Sequence, residues 1–200
     1  MPSVAEITYF EASEAYKADE STLSGPLETL SKTEGLNSSY VGYETEDPNV
    51  LFWVNDWTSK AAHDALVKSD IYPSVVAASR PAFASQPTAS YVEFHDTVGP
   101  FSAPATEFVT FTLNKGQTID KLEPLVAQLK AQLVGTPKFH GASWAPVIGK
   151  PDVYFGILGW DSVQAHWDAV SGGPLKATID QVKEIATLWL VHAHLKKVSV

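Results

Sequence analysis

The chain alternates between two apolar rhythms. Short runs rich in β-branched and aromatic residues have the composition of strands, as in Ala5-Glu6-Ile7-Thr8-Tyr9-Phe10 and Glu107-Phe108-Val109-Thr110-Phe111-Thr112-Leu113. Between such runs, apolar residues recur at helical spacing. Ile119, Leu122, Leu125, Leu129 and Leu133 define one helix, which Thr118 can cap and which Gly135 and Pro137 stop. An earlier helix carries Leu23, Leu27 and Leu30 before Gly35, with a start weakened by Gly25-Pro26. Residues 40–43 and 50–54 read as one hairpin, and residues 139–144 and 153–158 as another, joined through turn-forming residues. Thr58 or Asp161 is placed to cap the helix that follows each hairpin. Residues 90–95 and 188–195 close the two series as strands.

Each half therefore reads strand, helix, strand, strand, helix, strand. A direct repeat supports the division. Residues 48–63 read P-N-V-L-F-W-V-N-D-W-T-S-K-A-A-H and residues 151–166 read P-D-V-Y-F-G-I-L-G-W-D-S-V-Q-A-H. Both fit P-[ND]-V-x-F-x4-W-x-S-x2-A-H without a gap, and one period spans half the chain. The predicted class is α+β, with two tandem ferredoxin-like (βαββαβ) units forming an intrachain pseudo-dimeric α+β barrel. Such a unit covers one sheet face with its helices and leaves the other bare, so a second copy can cover it. Expected boundaries are 1–98 and 105–200, with a Pro-, Gly- and Ala-containing linker at 99–104.

Composition narrows the function classes. The hydrophobic content of 44% and aromatic content of 11% suit a chain with a sizeable core. A formal charge of −9, with a single arginine, disfavours nucleic acid and anionic membranes as partners. The absence of cysteine removes disulfides, thiolate nucleophiles and cysteine-based metal sites. No signal-peptide pattern opens the sequence and no apolar run is long enough to span a bilayer, so a cytoplasmic location is expected. Phosphate-binding glycine loops, a G-x-S-x-G elbow and H-E-x-x-H are all missing.

The stretch Asn55-Asp56-Trp57-Thr58-Ser59-Lys60-Ala61-Ala62-His63, continuing to Ser69-Asp70-Ile71-Tyr72, resembles the antibiotic-biosynthesis-monooxygenase type of dimeric α+β barrel. A closing strand ending in Glu-Phe-His or His-x-His is similar to fungal members. The resemblance implies a small-molecule enzyme, such as a cofactor-independent monooxygenase, cyclase or isomerase of apolar aromatic or polyketide-like compounds. It equally admits a non-catalytic ligand-binding or stress-related barrel. Haem-degrading members carry a haem-ligating histidine on the second helix. Here that stretch reads Ser74-Val75-Val76-Ala77-Ala78 or Lys176-Ala177-Thr178-Ile179, with no axial ligand. No cofactor, haem, flavin or metal is therefore expected, and the expected partner is a small apolar molecule. A homodimer of the whole chain is left open.

The candidate chemistry is imidazole. His192 and His194 lie two apart on the closing strand, on one face with Leu190, and are the expected catalytic residues. Glu93 and His95 stand at the comparable place in the first half. His63 and His166 follow the shared Trp57 and Trp160; they are either related bases or helix-face residues packed on those indoles. His140, Trp144, Trp160, His166, Asn55, Trp57, Glu93 and His95 make up the expected substrate-binding set. A longer hairpin connection and the Gly172-Gly173 break are expected to open a pocket mainly in the second half.

Overall fold

The computed structural model describes residues 3–95 and 99–198. The chain divides into two compact units, Met1–Glu93 with Lys196–Val200, and Phe94–Leu195. The boundary expected at residue 98 lies outside the described residues, as do the two chain ends.

The first unit runs β1 (Ser3–Glu11), α1 (Glu14–Ala18), α2 (Ser24–Ser31), β2 (Leu36–Tyr43), β3 (Val50–Trp57), α3 (Lys60–Val67), α4 (Tyr72–Ser79) and β4 (Thr88–Phe94). Its strands lie in the order β4-β1-β3-β2. The second unit runs β5 (Ala105–Leu113), α5 (Ile119–Leu133), β6 (Phe139–Val147), β7 (Lys150–Trp160), α6 (Val163–Val170), α7 (Gly173–Ile185) and β8 (Ala186–Ala193). Its order, β8-β5-β7-β6, is the same. Both are ferredoxin-like, and the α+β class follows the periodicity of the sequence. A two-residue strand, β9 (Lys196–Lys197), pairs with the edge of β2.

Within each unit the side chains of one sheet face meet the helices. In the second, α5 buries Leu122, Val126, Leu129 and Leu133 along one stripe. These pack with Val109, Phe111, Trp160 and Val182 in a single core cluster. In the first, Leu30, Leu66 and Val75 pack on Phe10, Trp53 and Trp57. Trp57 and Trp160 are both fully buried. Truncating either to alanine would cost about 3–5 kcal/mol.

The helix after each hairpin starts one residue later than the sequence suggests. Its cap is neither Thr58 nor Asp161. Ser59 Oγ accepts from Ala62 N–H at 3.2 Å, and Ser162 Oγ accepts from Ala165 N–H at 3.1 Å. Both serines are extended, which leaves the side chain free to fold back on the first turn. Residues 99–104 are folded into the second unit. Gly99–Ser102 forms a 3-10 turn whose Phe101 is fully buried near Phe108, and Thr106 Oγ1 donates to the Pro100 carbonyl at 2.7 Å. The hairpin connection expected to be longer in the second half is the shorter one. β6 runs on to Val147 and β7 begins at Lys150, with Gly149 at φ 81° making the tight turn. The break at Gly172 and Gly173 does separate α6 from α7.

One exchange between the units shapes the helix-side face. In the first, Trp53 on β3 lies opposite Val41 on β2. In the second, the equivalent β7 position is Gly156, and Trp144 on β6 lies opposite it. Each sheet thus carries one indole at this point, supplied by opposite strands of the hairpin. A Cβ at Gly156 would overlap the Trp144 ring. Gly156→Ala is therefore expected to lower stability by about 1–3 kcal/mol through overpacking, read as a fall in the urea midpoint. An unchanged midpoint would show that the indole does not sit on this glycine.

Candidate functional site

Each unit buries a carboxylate against an indole and an imidazole. In the first, Glu6 on β1 accepts from Trp57 Nε1 at 3.2 Å and from Asn55 Nδ2 at 3.1 Å, both on β3. His63 Nε2, on α3, lies 3.6 Å from Glu6 Oε1, and the Tyr91 hydroxyl on β4 donates to the same oxygen at 3.3 Å. In the second, Glu107 on β5 accepts from Trp160 Nε1 at 2.8 Å. His166 Nε2, on α6, lies 3.6 Å from Glu107 Oε2. His166 Nδ1 meets His192 Nε2 on β8 at 2.9 Å. His192 is the direct cross-strand partner of Glu107, so the two side chains stand beside each other on the helix-side face. Tyr91 and His192 each follow their glutamate by 85 residues, so hydroxyl and imidazole occupy equivalent places.

The electrostatics of the two sites differ. Burial raises the Glu6 carboxyl, but hydrogen bonds from His63 and Asn55, with the charge of His63, outweigh it and hold the group below the usual carboxylate range. Burial lowers His63, and its bond and charge pairing with Glu6, together with Asp64, reverse this and hold it above its ordinary value. In the second unit, burial first and the neighbouring His192 second push His166 down to about 3. The carboxylate 3.6 Å away does not overcome these two effects, so His166 is neutral across the physiological range.

Both sites open onto cavities between helices and sheet. The second unit's cavity is about 540 Å³. Glu107 and His166 lie in its wall with Val109, Phe111, Leu158 and Leu190, and Trp144, Trp160 and Trp167 also line it. Trp144 Nε1 is buried and has no hydrogen-bond acceptor. The first unit's cavity, about 630 Å³, is more polar, being lined by Glu6, Asn55, His63, Tyr91, Gln86 and Arg80 among others. There the indole of Trp53 donates to Asn55 Oδ1 at 3.0 Å, and Ser39 Oγ donates to the same atom at 2.6 Å.

The residues singled out from the sequence fall into two groups. Trp144, Trp160 and His166 line the second cavity, and Asn55 and Trp57 line the first. His192 is fully buried behind His166. His194 is separated from it: β8 ends at Ala193, and the exposed His194 ring pairs with the Pro104 carbonyl at 2.7 Å. His140 is exposed and bonded to Asp161 at 2.6 Å, and Glu93 and His95 are exposed. Asp56, next to Asn55 on β3, is buried and accepts from Asn37 Nδ2 at 3.1 Å. Glu6 and Glu107 are the residues that sequence reasoning missed. The signal was an acid in the middle of a first strand otherwise rich in β-branched and aromatic residues in both halves.

No protein-family model matches the chain, and neither does any curated protein sequence. Solved structures share its fold. A proposed monooxygenase of Fusobacterium nucleatum superposes with a TM-score of 0.75 at 8% identity, over 98% of this chain and 94% of its own. A proposed monooxygenase of Lactobacillus acidophilus gives 0.70 at 10% identity, over 100% and 97%. An anthrone oxidase-like protein gives 0.66 at 13% identity, over 100% and 94%. At identities this low the likeness shows the fold alone.

The two imidazoles should respond to pH in opposite senses. His166 has a native pKa of about 3 against an ordinary 6.5. Below that ordinary value the unfolded chain binds a proton that the native chain does not. Its contribution to stability is thus lost progressively as pH falls through that window. His63 is raised, so its contribution is present below 6.5 and is lost as pH rises through its native pKa. A ring-proton titration by NMR checks both. His166 should keep neutral shifts down to pH 4, and His63 should titrate above 6.5. Coincident titration of the two rings would contradict the assignment.

Proposed function

We propose that the second unit is a cofactor-independent oxygenase site for an apolar aromatic or polyketide-like ketone with an acidic C–H bond. The observation that carries this reading is an apolar cavity walled by a buried glutamate and a neutral imidazole, with Trp144, whose buried indole N–H has no acceptor, in its lining. A buried donor without an acceptor costs about 1–3 kcal/mol. A ligand oxygen bound there removes that cost, and the equivalent indole of the first unit already has its acceptor in Asn55. The fold neighbours named as monooxygenases and as anthrone oxidase-like support the same class.

The proposed chemistry needs only dioxygen as co-reactant. Glu107, with the neutral His166 ring beside it, takes a proton from an activated methylene, and the enolate oxygen accepts from Trp144 Nε1. The carbanion transfers its electrons to O2 and forms the C–O bond. The resulting hydroperoxide loses water, so CH2 and O2 become C=O and H2O. His192 is a positioning residue, holding the His166 ring through Nδ1. The repeated sequence pattern and the Glu–Trp–His contact in both units support an origin by tandem duplication. In that reading the first unit has kept a charged, internally satisfied network while the second has kept the substrate cavity.

Anthrone in aerated buffer tests the reading, with an oxygen electrode and detection of the carbonyl product. The chain should consume one O2 per carbonyl formed. Glu107→Gln and His166→Gln should each lower kcat by about 10²–10³-fold. Trp144→Phe, which keeps the ring and removes the donor, should raise KM by about tenfold. Quenching of tryptophan fluorescence by such ketones without oxygen uptake would overturn catalysis and leave a ligand-binding module.

A further inference from the structure

We propose that Glu107, His166 and His192 form a binding site for one divalent first-row transition-metal ion in the second unit. One donor atom from each residue lies within 4.8 Å of the others, and all three residues are buried. They come from three elements, β5, α6 and β8, and two of them are fixed by strand register as direct neighbours. Two imidazoles and one carboxylate are a donor set that suits zinc, iron and their neighbours.

The geometry favours an ion over a larger guest. His166 Nδ1 and His192 Nε2 are 2.9 Å apart. With metal–nitrogen bonds of about 2.1 Å, that separation gives a nitrogen–metal–nitrogen angle of roughly 90°. This is the angle between adjacent positions of a six-coordinate ion. His166 ligates through Nδ1, the nitrogen that faces His192 Nε2, and each ligating ring carries its proton on the other nitrogen. Trp160 Nε1, 2.8 Å from Glu107 Oε2, supplies the outer hydrogen bond that orients a ligating carboxylate. His166 and Glu107 line the cavity, so an ion can enter through it and would have open positions towards it. The first unit lacks the set, because Tyr91 stands where the second has His192. Among the described residues the set occurs once, so one ion per chain is expected.

This site coincides with the proposed proton acceptor, so its consequence for activity rests on that reading. An ion that occupies both imidazoles and the carboxylate removes the groups that would accept the substrate proton. Metal occupancy is then a block on the oxygenase.

The test uses the full chain after EDTA treatment, with Zn2+ titrated by calorimetry and Co2+ by visible absorption. One ion should bind per chain. His192→Gln and Glu107→Gln should each weaken binding by about tenfold or more, and His194→Ala, which removes an exposed imidazole, should leave it unchanged. The wild-type chain gives a check that needs no variant: Zn2+ should move the ring resonances of His166 and His192 by NMR. Movement confined to His140 and His194, or undiminished binding by His192→Gln, would overturn the site. Oxygen uptake separates the two ideas. Full activity after EDTA with loss on adding Zn2+ supports both. Full activity with no Zn2+ binding overturns the metal site alone. Activity lost with EDTA and restored by metal keeps the site and overturns the cofactor-independent reading.

Discussion

A buried carboxylate is the constraint from which the rest of each unit follows. Taking Glu6 or Glu107 out of water costs several kcal/mol unless its oxygens find partners. The first strand supplies none of the bonds described: on that face β5 offers only apolar side chains, and β1 offers only Thr8 besides them. They come instead from the end of the third strand and the start of the next helix. Trp57 and Trp160 each donate an indole N–H to the carboxylate, and His63 and His166 approach it from the helix. The capping serine fixes that helix start, and with it the direction in which the imidazole points. The run from tryptophan through serine to histidine is thus one device. It aims a donor and a ring at an acid on the first strand, and it occurs twice.

What differs between the units is how completely the acid is enclosed. Asn55 in the first bonds the carboxylate with one end and accepts from Trp53 and Ser39 with the other. Leu158 takes that position in the second, opposite Ala142. The amide network disappears, and the indole moves across the hairpin from β3-type to β6-type placement over Gly156. Losing an acceptor and moving a donor are linked changes. The relocated Trp144 N–H, over Gly156, has no acceptor, and Leu158 adds to the apolar lining of the same cavity. A site that binds apolar molecules needs few polar groups, placed where the ligand has none of its own to waste. The second unit meets that description and the first does not.

The sequence revealed the strands, the helices and half of this device. Trp57, Trp160, His63 and His166 stood out because their stretch repeats without a gap. Glu6 and Glu107 did not, because the first strand is offset from that repeat by two residues, and an ungapped comparison never sets them side by side. The hairpin connection was misjudged for a related reason. Turn-forming residues mark where a chain can reverse, but strand pairing decides how far the ladder runs before it does, and β6 and β7 pair nearly to the turn. His192 and His194 looked equivalent because alternation on a strand is a local rule. It ended at Ala193, so one ring went to the core and the other to solvent.

The two imidazoles that share a place in the repeat therefore do different work for a reason outside the repeat. Their nearest neighbours in sequence are similar; their neighbours in space are not. His63 faces Glu6 and Asp64, and two acids favour the cation. His166 faces Glu107 and His192, and a second imidazole in a buried place favours the neutral ring. A single exchange on the closing strand, hydroxyl at Tyr91 against imidazole at His192, goes with a raised pKa at His63 and a lowered one at His166. The first can hold its own structure together without a ligand. The second sets a buried carboxylate and a neutral imidazole at a cavity wall with another imidazole behind them, an arrangement that can meet either a bound molecule or a cation.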